Sequence, residues 1–329
     1  MRFLIVFTGL LLGLASAVPT AIHAQSFINN EPISLTISPR YPAPYEEVRA
    51  TPGSNLFDLA GTVLTFYVDG KEVAKQSGGE PIRFTMKGPG EPTTVRVTAA
   101  TQGRNYEKAL TLRPASVALV TEPISTAHPF YQGANLVASE GRVRMIAVAD
   151  LRTSPTNRVS SNDLIYTWKI GTQILLEQSG IGRSVITITA PIRYRNADVS
   201  VTVTTKDSSV AGEAKTNVSP TDPVMRLYVQ DPLTGPLFDT ALGNTLTMTE
   251  SESTLRAVPY FFPSAPTLAW TVNGSAGGTS PIITLRQTGS GKGSAKVSAV
   301  ATGPSFFSTA SISTLVNFGA TNNSGFFGL

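Results

Sequence analysis

Three aromatic residues spaced 102 positions apart constrain this chain more than any other feature in it. Phe66, Trp168 and Trp270 each open or lead a short β-rich run that ends in a glycine turn. The runs are Phe66-Tyr67-Val68-Asp69-Gly70, Trp168-Lys169-Ile170-Gly171 and Trp270-Thr271-Val272-Asn273-Gly274. A fixed period of this size marks tandem copies of one unit, and 329 residues hold three of them. Each copy later carries an alternating run: Val95, Val97 and Ala99 before Thr101; Val199, Val201 and Val203 before Thr205; Ala295, Val297 and Ala299 before Thr302. Period-2 alternation gives a strand one core face and one solvated face. A third match links the later copies, Pro129-Phe130-Tyr131 with Ala134 against Pro236-Leu237-Phe238 with Ala241.

The local signals agree on β structure. Asp69-Gly70 and Asn273-Gly274 sit between strand-like runs, and both central positions of such a hairpin turn need φ > 0. Outside the first 24 residues no apolar pattern keeps a 3.6-residue period for three turns, so almost no helix is expected. Only 15% of residues are charged, and the polarity comes instead from 40 Thr and 31 Ser. Threonine suits the outer face of a pleated sheet. Arg113-Pro114-Ala115 and Ser219-Pro220-Thr221-Asp222-Pro223 interrupt the strand pattern. They divide the chain into units at 34–115, 116–222 and 223–317, with flexible segments expected at 25–33 and 318–329.

The first 24 residues read as a secretory signal peptide. Arg2 is the only charge, Phe3 to Leu14 is apolar, and small residues follow, with the cut expected after Ala24. The alternative is an uncleaved anchor, since Phe3 to Ile22 holds twenty uncharged residues, near the ~20 that cross a bilayer. Cleavage puts the chain in the periplasm, at the cell surface or in the medium, with no membrane insertion afterwards. There is no Cys, which removes disulfides, thiolate zinc sites and cysteine nucleophiles.

On these residues the chain resembles the tandem Ig-like or PKD-like domains of exported bacterial surface proteins. An aromatic-x-Val-Asn/Asp-Gly strand and turn recurs in units of about 100 residues, the size of an Ig-like sandwich. The likeness covers Ser34 to Val316, but the Trp-x-Phe-Gly-Asp-Gly signature of PKD repeats is missing. The resemblance implies an all-β chain of three immunoglobulin-like β-sandwiches. It also implies a spacer, adhesion or envelope-interaction role, usually without catalysis; the residues themselves call for no cofactor and no metal.

Residues that carry chemistry are sparse. Gly289-Ser290-Gly291-Lys292-Gly293-Ser294 departs twice from a phosphate-binding loop, having Arg286 and Gly293 where a glycine and a hydroxyl are needed. It reads as a turn. His128 is the only imidazole once the leader is removed, and it reads as a loop residue rather than a general base. The carboxylates Glu46, Glu47, Asp163, Asp198, Asp207, Asp231 and Asp239 show no spacing that forces two into one site. Asp222 and Asp231 raise the question of a calcium site at a domain junction, although Asp beside Pro is usually a turn former. Each unit carries one more basic than acidic residue, so no basic face is offered to nucleic acid. Arg193-Tyr194-Arg195 reads as a solvated loop.

The candidate binding residues are aromatic. Tyr260, Phe261 and Phe262 lie in the BC loop of the third unit, and Phe306 and Phe307 in its FG loop, which an Ig-like fold brings to one pole. Chain direction turns that pole toward the second unit. The expected counterpart is the exit of that unit, Ala211 to Val218 and the linker. Two readings of function stand: a spacer or interaction module whose partner is an envelope or surface protein or glycan, and an exported carbohydrate-active or other hydrolase using paired carboxylates.

Overall fold

The computed structural model describes residues 31–101, 103–305 and 307–319. The leader expected at 1–24, Phe306 and most of the C-terminal tail lie outside the described residues. Three β-sandwiches follow one another, and the only helical elements described are two three-residue 3₁₀ turns.

The first sandwich comprises β1 (Ser34–Ser38), β2 (Glu47–Gly53), β3 (Val63–Val68), β4 (Lys71–Ser77), β5 (Ile82–Thr85), β6 (Thr93–Thr101) and β7 (Arg104–Leu112). One sheet has the order β1-β2-β5 and the other β4-β3-β6-β7. The second contains β8 (Ser116–Ile124), β9 (Arg142–Asp150), β10 (Arg152–Ser154), β11 (Asn157–Arg158), β12 (Ile165–Ile170), β13 (Gln173–Ile174), β14 (Gly180–Ile181), β15 (Val185–Thr189), β16 (Ala197–Thr204) and β17 (Ala211–Val218). Its main sheets are β15-β9-β8 and β13-β12-β16-β17. The third contains β18 (Val224–Asp231), β19 (Gly235–Pro236), β20 (Thr245–Thr247), β21 (Glu252–Tyr260), β22 (Thr267–Val272), β23 (Ser275–Gly278), β24 (Ile282–Arg286), β25 (Gly293–Thr302) and β26 (Thr309–Phe318). Its sheets are β19-β18-β21-β24 and β20-β26-β25-β22-β23. In the later units the chain crosses between sheets after the first strand and pairs parallel with the unit's closing segment. β20 does this along β26, and Ala138 does it as a single bridge to Thr221. This is an Ig-like strand plan, present three times.

The 102-residue period has a packing cause. Phe66, Trp168 and Trp270 are each essentially fully buried, and each faces the next-to-last strand of its unit, opposite Val97, Val201 and Ala299. Three separate cores form around them. Indole burial leaves an N–H that needs an acceptor. Trp168 donates to the Arg183 carbonyl at 2.8 Å and Trp270 to the Ser280 carbonyl at 2.7 Å, both in the segment before the β15 or β24 strand. Phe66 makes no such demand, so a phenyl ring serves in the first unit. One alignment needs correction: the core face of β25 is Val297, Ala299 and Ala301, two residues later than the Ala295, Val297, Ala299 run. The run is almost all Ala, Val and Ser, and such small residues alternate without marking where the core begins.

The hairpin turns repeat in detail. Asp69 and Gly70 have φ of 50° and 81°, Asn273 and Gly274 of 50° and 84°. Each side-chain oxygen accepts the backbone N–H of a residue on the neighbouring strand, Thr94 or Lys296, at 2.9 Å. In the second unit Gly171 takes the same place at φ 57° without a side chain to help. The Gly289–Ser294 run is a loop between β24 and β25, closed by the Gln287 amide donating to the carbonyls of Gly289 and Gly291.

Candidate functional site

The aromatic residues of the third unit separate into two groups, and the backbone at Phe261 separates them. On β21, Leu255 and Ala257 point into the core, while Val258 and Tyr260 point outward from the sheet. Phe261 then adopts φ 62°, an uncommon conformation for an aromatic residue, and the chain turns. After the turn Phe262 enters the core of the third sandwich, fully buried, close to Gly303 and Ser308. Tyr260 and Phe261 instead join Tyr228 and Val258 in a separate cluster outside that core. The two loops do meet, at Phe262 beside Gly303, but the expected single cluster of five rings is corrected: Tyr260 and Phe261 serve the junction, Phe262 serves the core, Phe307 is 38% exposed, and Phe306 lies outside the described residues.

The counterpart surface also differs from the expected one. It is the segment after β8, at the pole where the chain leaves the second unit, rather than Ala211 to Val218. Phe261 N–H donates to the Thr126 carbonyl at 2.7 Å, and Thr126 N–H donates to the Phe262 carbonyl at 2.9 Å. The Thr126 hydroxyl accepts the Phe262 N–H at 3.0 Å. Tyr131 packs edge-on against Tyr260 and Phe261, with centroids 5.4 and 6.0 Å apart. His128 lies flat on Phe238, 4.1 Å between centroids with a 3° interplanar angle. The two segments matched in sequence, around Pro129 and around Pro236, thus meet each other across the junction.

Tyr228 was missed in the sequence, although its signal was there. Along β18, Met225 and Leu227 are core residues, so the alternation throws Val224, Arg226 and Tyr228 to the outer face. A buried tyrosine on an outer face requires a cover. Its hydroxyl lies 2.8 Å from that of Tyr260. Burial, and then this hydrogen bond, raise the Tyr260 phenol above its ordinary pKa, so it remains a hydrogen-bond donor.

Between the segment 128–133 and the outer face of β18 and β21 lies a cavity of about 590 Å³. Arg226, Asp239 and Gln132 contribute its polar wall; His128, Tyr131, Tyr228, Phe238 and Tyr260 contribute rings. Phe130 stands beside it with 74% of its surface exposed. Gly133 is pressed against the Tyr131 hydroxyl so closely that a side chain there would displace the ring.

His128 gives this junction a pH response. Its Nδ1 accepts the Phe130 N–H at 3.1 Å, which requires the neutral ring. Burial lowers its pKa from 6.5, because a charged ring among aromatic neighbours is poorly solvated. Arg226 and Asp239 are the formal charges lining the same cavity. The separated state then binds more protons, so the His128 contribution is complete above pH 6.5 and is lost as pH falls through the lower folded value. Thermal unfolding at pH 7.5 and pH 5 should show a junction weaker in acid, and His128→Phe should shrink that difference.

The other candidates are each tied to local partners. Asp163 pairs with Lys206, Glu47 with Arg83, and Asp198 accepts from Asn217. Glu46 accepts the Ala43 N–H. Asp207 accepts from the Thr205 hydroxyl and from Ser209, which draw its carboxyl down to about 2. Asp222 pairs with Arg193, whose guanidinium also lies over the Tyr194 ring, 4.6 Å from its centroid. Asp231 accepts the N–H groups of Leu233 and Thr234 at 2.8 Å. Asp222 precedes β18 and Asp231 ends it, roughly 30 Å apart at strand rise, so they cannot share an ion.

The junction between the first and second units is polar by comparison. Arg113 donates to the Thr153 carbonyl at 3.0 Å, and Gly90, at φ 79°, abuts the Ser154 backbone where no Cβ fits.

Three Ig-like sandwiches in series, with an aromatic cavity at the second junction, define a tandem Ig-like array. No protein-family model matches the chain, and no curated protein matches it. Among solved structures it is similar to three N-terminal domains of the highly immunogenic outer capsid protein (Hoc) of bacteriophage RB49, at 13% identity and TM-score 0.27, covering 88% of this chain and 99% of that one. It is likewise similar to the central fibronectin-III array of RIM-binding protein, at 13% identity and TM-score 0.28, covering 89% and 98%. Sidekick-1 immunoglobulin domains 1–5 match at 11% identity and TM-score 0.32, covering 87% and 58%. The fold assignment rests on this chain's own strand order.

Proposed function

We propose that the chain is an exported, non-catalytic protein of the bacterial cell envelope or surface, whose three sandwiches act as a spacer and interaction module. One observation carries this reading. The second junction is built from reciprocal backbone hydrogen bonds at Thr126, Phe261 and Phe262 and from interleaved rings, so two units are held in a set relation rather than joined by a free linker. Fixed spacing is what a spacer supplies, and it holds a composite surface open for a partner. Six of the seven candidate carboxylates, all but Asp239, are engaged in turns and strand pairs, which supports a binding role over hydrolysis. The even spread of charge disfavours nucleic acid as the partner.

The export half of the proposal has a direct check. Mass spectrometry of the periplasmic or secreted protein is expected to find Gln25 as the N-terminus. Recovery of the intact chain from Met1 in the membrane fraction would establish an anchor instead. The interaction half is tested by retention of native envelope material on the immobilised mature chain, with no turnover of the retained material.

A further inference from the structure

We propose that the cavity at the second junction is a saccharide site, taking a neutral sugar ring. The proposal rests on the reading of the chain as an interaction module and names a ligand class for it. The cavity, about 590 Å³, lies between two domains, where small-molecule sites are frequent. Its composition selects the ligand.

Phe130 leaves most of its ring in water at the edge of this cavity. The backbone that carries this ring is anchored, because the Phe130 N–H is held by His128 Nδ1 and His128 is stacked on Phe238. A large apolar group presented in a fixed place costs solvation and suits a partner with an apolar face. Arg226 and Asp239 line the same cavity, and neither enters an ion pair among the described residues. One is a forked donor and the other a two-oxygen acceptor, and their charges balance. A strongly anionic or cationic ligand would satisfy one and be repelled by the other. The Tyr228 and Tyr260 hydroxyls share one hydrogen between them, and the second hydroxyl hydrogen has no acceptor among the described residues.

A ligand for these groups needs an apolar face for a phenyl ring and a rim of hydroxyls that both donate and accept, without net charge. A pyranose ring has that combination: C–H groups on its faces and hydroxyl pairs around its edge. The Asp239 carboxylate accepts from one hydroxyl pair, the Arg226 guanidinium and the tyrosine hydroxyl donate to others, and Phe130 stacks on the ring face.

The test uses the mature chain and four probes: cellotriose, chitotriose and galactotriose as neutral saccharides, and trigalacturonate as the charged control. Saturation-transfer NMR at about 10 mM saccharide reports binding of even millimolar affinity. At least one neutral trisaccharide is expected to take up saturation at its ring C–H protons, and trigalacturonate to take up less. Phe130→Ala and Asp239→Asn, both at exposed positions, are each expected to weaken binding about tenfold. Their thermal unfolding should match that of the parent. Absence of transfer to all three neutral sugars overturns the proposal, as does binding untouched by both variants. Preferential binding of trigalacturonate overturns the neutral-ligand assignment. A phenylalanine-containing tripeptide that binds in place of the sugars with the same variant sensitivity makes the cavity a peptide site and also overturns it. If the chain retains envelope protein but no saccharide, only the saccharide assignment falls; if it retains neither, the interaction reading falls with it.

Discussion

Trp270→Ala unfolds the third unit at temperatures where the first and second units remain folded. The indole is fully buried at the centre of that sandwich, and its loss removes both its packing and its N–H bond to the Ser280 carbonyl. Large-to-small changes of this kind cost about 3–5 kcal/mol. For a domain near 100 residues that lowers the unfolding midpoint by roughly 10–40 °C. The three cores are separate clusters, so the loss stays in one of them. The chain has two Trp residues, so after this substitution Trp168 is the sole reporter of the second unit by fluorescence. Calorimetry should resolve an early endotherm for the third unit, while Trp168 fluorescence stays native through it. Trp168→Ala should give the mirror result. One shared transition in either variant would mean that the three sandwiches do not fold as separate units.

Removal of the aromatic junction separates the second and third units without unfolding them. The suitable pair is Tyr131→Ala with Phe261→Asn. Tyr131 packs on Tyr260 and Phe261 from the second unit, and asparagine tolerates the left-handed backbone that Phe261 adopts at φ 62°. Aromatic pairs contribute about 0.5–1.5 kcal/mol each beyond area burial, and this pair of changes removes at least two. Solution scattering is expected to show a broader distance distribution, and the third unit should lose several degrees of thermal stability. Phe262→Asn is the contrasting control. Because Phe262 belongs to the core, it should destabilise the third unit itself rather than the junction. Scattering unchanged by the double variant would show that the Thr126 hydrogen bonds alone hold the units together.

What was legible in the sequence lay along single strands. Phe66, Trp168 and Trp270 announced three cores because the centre of a sandwich demands one large ring at one strand position. Asp69-Gly70 and Asn273-Gly274 announced hairpins because their φ requirements are local. The candidate aromatics were partly legible: Tyr260 and Phe261 do face the second unit, as chain direction implied. The assignment of Phe262 failed because three consecutive aromatics carry no record of a φ sign, and one positive value at Phe261 sent its successor to the core. The alternating run in β25 was misplaced by two residues because alanine marks a core face weakly.

The partner surfaces required the tertiary structure. Tyr228 lies 32 positions from Tyr260 and Thr126 lies 136 positions from Phe262, and nothing local to either reports the meeting. By itself the sequence determined the number of units, their sandwich class, their central rings and their turns, because these follow from one long repeat period and from alternation and backbone sterics within about ten residues. Only the tertiary structure decided which outer sheet face is covered, by which loop, and that a cavity with Arg226, Asp239 and Phe130 on its walls remains beside it. That outcome depends on how one sandwich is rotated on the next, and rotation is set by the summed fit of side chains from two domains.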